Sequence, residues 1–138
     1  MRLLLDTCVI IDWLTDADPF ERNVWDILND PGTKLYVSAE TARELIVSFN
    51  NKKLLSKYWK TAEEMLVAMK EEAMVDILPI SERTMFTYSR LTLNEAMDHR
   101  DPSDHVIISH AITEHLTLLF SDEKFPFYRN QGLELIEY

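Results

Sequence analysis

Two aspartates, Asp101 and Asp104, flank a proline in "HRDPSDHVIISHAI", His99 to Ile112. Helix initiation accounts for this spacing by itself. Asp101 suits the N-cap, Pro102 the first helical position, and Asp104 the first turn near the positive end of the dipole. Metal chemistry enters only if carboxylates from elsewhere converge there. Asp6 directly follows the apolar run "LLL" (Leu3 to Leu5), and Asp122 directly follows "LTLLFS". Ligands of open parallel α/β sheets bind beyond the carboxyl ends of the strands, so Asp6, Asp104 and Asp122 are expected at one sheet edge. Each also has a local explanation: Asp6 as a helix cap, Asp122 as the start of an Asx-turn in "SDEKF". Carboxylates about 4 Å apart, however, repel by about 4 kcal/mol at an effective dielectric near 20. Such a cluster needs a cation. Hard oxygen ligands suit Mg²⁺ or Mn²⁺ shared with waters and substrate phosphate, and the matching chemistry is phosphodiester hydrolysis by an activated water.

The elements that must position these acids are short. Residues 2–5, Lys34–Ser38, Val75–Pro79, Leu116–Asp122 and Leu133–Tyr138 read as about five strands, the last alternating like an edge strand. Helical periodicity places Ala42, Leu45, Ile46 and Phe49 on one helix. A longer helix is expected from about Leu55, carrying Ala62, Leu66, Met69 and Ala73. Further helices are expected at Cys8–Leu14, Glu21–Asn29, Ser81–Leu91 and Ser103–His115. Strands alternating with helices predict an α/β fold with a mostly parallel sheet covered on both faces.

The length of 138 residues and a hydrophobic share of 46% predict one domain over residues 1–138 with its own core. Cys8 is the one cysteine, and Asp6 and Asp12 interrupt the first apolar stretch, so a cytoplasmic protein with no signal peptide or membrane span is expected. Gly32 and Gly132 are the only glycines, which argues against a glycine-rich phosphate loop. A formal charge of −10 argues against a broad nucleic-acid-binding surface. It leaves a metal nuclease open, because bound cations are absent from that count.

The segments "LLLDTCVIIDWL", "VSAETAREL", "HRDPSDHVIISHAI" and "LTLLFSDEKF", in this order, resemble the PIN-domain ribonucleases, and among them toxins of the VapC type from bacterial toxin–antitoxin pairs. The resemblance spans essentially the whole chain. It implies an α/β/α sandwich, a Mg²⁺- or Mn²⁺-dependent acidic site that cuts RNA, a cognate antitoxin and a homodimer. It also implies a catalytic and metal-binding set of Asp6, Glu44, Asp104 and Asp122. Periodicity alone leaves Glu40 and Glu44 equivalent on one helix face; the resemblance selects Glu44. Asp101, Thr7 and Ser121 are expected beside that set, orienting water or the helix start. Ser103 and His105 depart from the family's usual bulky residue and arginine, and Cys8 stands where serine is common.

Other candidates carry less. His99, His105, His110 and His115 do not share one helical face and are expected as surface or core-edge residues, with His105 able to approach RNA. Cys8 has no adjacent base and is expected as a small buried side chain. Lys53, Lys57 and Lys60, with Lys52, form a basic stripe at helical spacing, expected as a solvated face more readily than a phosphate contact. Trp13, Trp25, Trp59, Tyr58 and Phe49 are expected as core or interface aromatics. The rival function is a catalytically silent PIN-like module that only binds a partner. A phosphotransferase would need Asp-x-Asp after the first strand, where this chain has Asp6-Thr7-Cys8.

Overall fold

A computed structural model describes residues 1–52 and 54–137. Among them, β1 (Arg2–Leu5), β2 (Lys34–Ser38), β3 (Val75–Leu78), β4 (Thr117–Phe120) and β5 (Glu134–Glu137) form one sheet in the order β3-β2-β1-β4-β5. Every pairing is parallel, in register from Leu4 against Tyr36 on one side and against Leu118 on the other. Parallel neighbours require crossovers, and these are helical: α1 (Thr7–Thr15), α2 (Arg22–Leu28), α3 (Ala39–Asn50), α4 (Ala62–Glu71), α5 (Glu82–Arg90) and α6 (Pro102–Glu114).

Side-chain alternation along β1 sets the two layers. Leu3 and Leu5 join Val9, Ile10, Leu45, Met65 and Met69 on one face, while Leu4 joins Ile107, Ile108, Ala111, Phe120 and Tyr128 on the other. All three leucines are fully buried, and each such side chain contributes about 1.5–3 kcal/mol relative to exposure. The expected α/β/α sandwich is therefore the observed one. The β5 edge position is also as expected, with Tyr138 of the expected strand outside the described residues.

Three expectations need correction. The long helix from Leu55 is two elements: a 3₁₀ turn at Leu54–Lys57 and α4 beginning at Ala62. The cause is local capping. Thr61 Oγ1 accepts from Glu64 N at 3.1 Å, and Glu64 Oε2 accepts from Lys60 N at 3.1 Å, so the "TAEE" stretch starts a new helix much as a capping box does. The basic residues are consequently not a helical stripe: Lys57 ends the 3₁₀ turn, Lys60 precedes α4, and Lys53 lies outside the described residues. A 3₁₀ helix at Phe125–Gln131, absent from the sequence reading, closes the core under Phe125 and Tyr128.

Candidate active site

The strand order places the topological switch at β1, which pairs with β2 on one side and β4 on the other. The crevice beyond the carboxyl ends of β1 and β4 is where such sheets bind ligands. Asp6 sits at that point. Its backbone N–H donates to Leu119 O at 3.0 Å, extending the ladder, and its carbonyl accepts from Val9 N and Ile10 N to open α1. Asp6 lies at the N-cap of α1 without a side-chain cap bond, so capping does not explain its carboxylate. The side chain is 4% exposed.

Three further carboxylates act on it. Burial first and then Asp104 push the Asp6 carboxyl up to about 7, against a lowering by the Thr7 backbone N–H, with Glu44 and Asp122 adding smaller rises. Glu44 arrives on α3, which Ser38 starts by accepting from Glu40 N at 3.1 Å. The Glu44 carboxyl is raised mainly by burial and held by Thr7, whose Oγ1 donates to Glu44 Oε1 at 2.7 Å while 3.0 Å from Thr41 Oγ1. Asp122 accepts from Lys124 N at 2.9 Å through one oxygen, forming the Asx-turn, and its charge acts on Asp6 and Asp104.

Asp104 is raised by burial, opposed by a hydrogen bond from His99. That histidine is the functional-site residue the sequence reading missed. It lies in the loop before α6, 2% exposed, with Nε2 2.9 Å from Asp104 Oδ2 and Nδ1 2.9 Å from Tyr128 Oη. The network assigns the protons: Asn94 N–H donates to Tyr128 Oη, the Tyr128 hydroxyl to His99 Nδ1, and His99 Nε2–H to Asp104. The ring thus fixes one Asp104 oxygen. Its only sequence signal was a histidine five residues ahead of an aspartate, with no periodicity to say that the loop folds back.

Other expectations divide. Asp101 is the N-cap of α6, with Oδ1 accepting from Ser103 N at 2.9 Å, and its charge also raises Glu44 and Asp104. Thr7 touches the set as expected, whereas Ser121 is exposed and makes no hydrogen bond among the described residues. His105 cannot approach RNA: it is 2% exposed, and its Nε2 meets the His99 carbonyl at 2.9 Å, bracing the same loop. His110 is likewise buried, bonded to Ser38 Oγ at 2.9 Å, and not at the core edge. Cys8 is exposed rather than buried. Partial desolvation and Asp6 nevertheless raise its thiol to about 11, which leaves it a poor nucleophile. Trp13, Trp25, Trp59 and Phe49 pack on the core as expected, but Tyr58 is 51% exposed.

The structure also separates the two glutamates that periodicity could not. Glu40 is engaged by Arg43 and by Ser103 Oγ, which donates to it at 2.7 Å. No lysine or arginine pairs with Asp6, Glu44, Asp104 or Asp122 among the described residues. This uncompensated oxygen set fits a hard divalent cation. Among the described residues no three His, Cys, Asp or Glu side chains stand, as placed, where together they could hold a metal ion. Mutual repulsion opposes closer approach without a cation, and Mg²⁺ in any case keeps several waters.

The PIN domain profile matches residues 3–131. The chain belongs to the PIN-domain family. No curated protein matches it. Among solved structures, this PIN domain is similar to VapBC2 from Rickettsia felis bound to a promoter DNA fragment, with TM-score 0.74 at 20% identity over 99% of this chain and 98% of that one. VapBC-1 from nontypeable Haemophilus influenzae gives 0.73 at 21% identity over the same shares. VapBC-5 of Mycobacterium tuberculosis, a member of the VapBC family of toxin–antitoxin systems, gives 0.64 at 18% over 99% and 98%. These likenesses extend the fold assignment of this PIN domain along the whole chain. No helix among its described residues is long and apolar enough to cross a membrane.

Proposed function

We propose that the chain is a metal-dependent endoribonuclease, a cytoplasmic toxin of the VapC kind whose partner is an antitoxin and which forms a homodimer. We read residues 1–138 as its single domain. The observation that carries the nuclease reading is the convergence at the β1 switch point of Asp6, Glu44, Asp104 and Asp122, partly buried and without a cationic side chain to neutralise them. The similarity to VapBC pairs supports the toxin and antitoxin part.

In this reading the four carboxylates would hold Mg²⁺ or Mn²⁺. When bound, the cation supplies Lewis acidity, easing deprotonation of water and offsetting charge on the phosphate. The chain's own residues do the positioning. His99 and Thr7 fix Asp104 and Glu44 in single orientations, Asp101 fixes the start of α6, and the Leu5 and Leu119 backbone sets Asp6 at the floor of the crevice. Two of the four carboxylates, Glu44 and Asp104, are thus already held in place before a cation draws the set together.

Purified protein incubated with single-stranded RNA is expected to cleave it with Mn²⁺ or Mg²⁺ and to leave it intact in EDTA. Intact RNA under every metal condition, with melting unaltered by Mn²⁺, favours the silent binding module instead.

A further inference from the structure

The basic residues dispersed from the expected helix reassemble in space. A groove of about 670 Å³ at the far end of α3 is lined by Lys52, Lys57, Lys60, Phe49, Tyr58 and Trp59. All three lysines are exposed, and none forms an ion pair among the described residues. This is an unusual concentration of free positive charge in a chain of net −10. Tyr58 is 51% exposed, yet its hydroxyl donates to Thr15 O at 3.1 Å, so the ring is a fixed surface rather than a mobile one. Trp59 lies beside it at 5.7 Å between ring centres.

The groove connects to the carboxylate site through two helices. Glu44 and Asn50 lie on α3, separated by about 9 Å of helix rise, and Thr7 and Thr15 on α1, separated by about 12 Å, at 1.5 Å per residue. A polyanion at the acidic site is repelled by every uncompensated carboxylate there and must be held from outside it. Free ammonium groups within a few nucleotides' reach supply that hold, and the exposed Tyr58 ring beside them gives bases a stacking surface. An acidic peptide would satisfy the lysines alone; the fixed tyrosine face beside them is the pairing that single-stranded nucleic acid uses.

We infer that the groove formed by Lys52, Lys57, Tyr58, Trp59 and Lys60 is a second binding site for single-stranded RNA, gripping the strand a few nucleotides from the phosphate at the acids. The inference rests on the ribonuclease reading for its substrate, but the groove is tested separately from cleavage.

The test measures fluorescence anisotropy of a labelled single-stranded RNA in EDTA, where no metal-dependent cutting intervenes, across a series of NaCl concentrations. The double substitution K57E/K60E is expected to weaken binding at least tenfold at 0.1 M salt. It should also reduce the slope of log K against log salt by about 1.4, since each single-strand phosphate contact contributes roughly 0.7. Tyr58→Leu should weaken binding several-fold with the slope unchanged. K70E/R90E makes the same charge change elsewhere on the surface and is expected to stay within twofold of wild type. Undetectable binding by wild type, equal binding by K57E/K60E and wild type, or an equal loss from K70E/R90E overturns the proposal. So does unchanged RNA binding with loss of a co-purifying protein partner, which would assign the groove to a protein. Wild type that binds through the lysines but never cleaves with Mn²⁺ defeats the nuclease reading and leaves the groove standing. Cleavage with lysine-independent binding does the reverse.

Discussion

Asp104→Asn is expected to lower RNA cleavage about 100-fold or more while leaving RNA affinity in EDTA at or above wild type. Changing a residue that merely orients a metal ligand costs about 10–100-fold, and the proposed function makes Asp104 a ligand itself. Asparagine keeps the shape and can still accept from His99 Nε2, so the fold of the loop is preserved. Glu44→Gln should behave alike. Glu40→Gln is the informative contrast: Glu40 is already engaged by Arg43 and Ser103 and should lose only a few-fold. A further signature follows from Asp104 raising Asp6. Removing the Asp104 charge relieves buried repulsion, so the inactive variant should melt higher than wild type in EDTA. Activity and stability would then move in opposite directions, as expected where a site is strained for function. Comparable loss from Glu40→Gln and Glu44→Gln would mean that the wrong glutamate has been placed in the crevice.

The second large effect concerns pH. Burial and the neighbouring carboxylates push the Asp6 carboxyl up to about 7 in the folded protein, from an ordinary value of 3.8. The native state therefore binds a proton that the unfolded state has released, and stability falls as pH rises between about 4 and 7. That displacement corresponds to up to about 4 kcal/mol at pH 8 relative to pH 4. For a chain of this size that is on the order of 10 °C in Tm. Glu44 and Asp104 are raised too and act in the same direction. Thermal unfolding in EDTA from pH 5 to pH 8 should show this decline, and Asp6→Asn should flatten it and raise Tm at pH 8. Mn²⁺ should restore the wild-type protein at pH 8, by about 2.7 kcal/mol at 100 times its Kd, and do less at pH 5, where the Asp6 carboxyl is protonated. The general repulsion of a −10 chain also lowers stability with pH, which is why the Asp6→Asn comparison is required. A slope shared by variant and wild type would remove Asp6 as its cause.

Much of this site was legible from residue order. Asp6 and Asp122 stand immediately beyond apolar runs, and the rule for strand ends converts that into a shared edge without any knowledge of side chains. Glu44 was not legible in that way. Its helix presents Glu40 on the same side, and what separates them is tertiary: Thr7 reaches Glu44, whereas Arg43 and Ser103 reach Glu40. His99 was hidden for a different reason. Loop residues have no period, and its role depends on Tyr128 from a 3₁₀ helix that left no apolar repeat to read. The break before α4 was available in "TAEE", where a capping threonine and its glutamate overrule an apolar spacing that looks continuous. The groove at Lys57 and Lys60 depended on that break, because the same lysines on one helix would have been an ordinary solvated face.

The central claim is that carboxylates from four separate parts of the chain form one divalent-cation site. Titrating the protein into Mn²⁺ at pH 8 and following the electron paramagnetic resonance signal of the free hydrated ion tests it without substrate, antitoxin or turnover. Wild type is expected to quench the signal saturably, at one or two ions per chain. The D6N/D104N double substitution, folded by circular dichroism, should leave it unquenched over the same range. Equal quenching by both proteins, or none by wild type, would contradict the assignment of Asp6, Glu44, Asp104 and Asp122 to a metal centre.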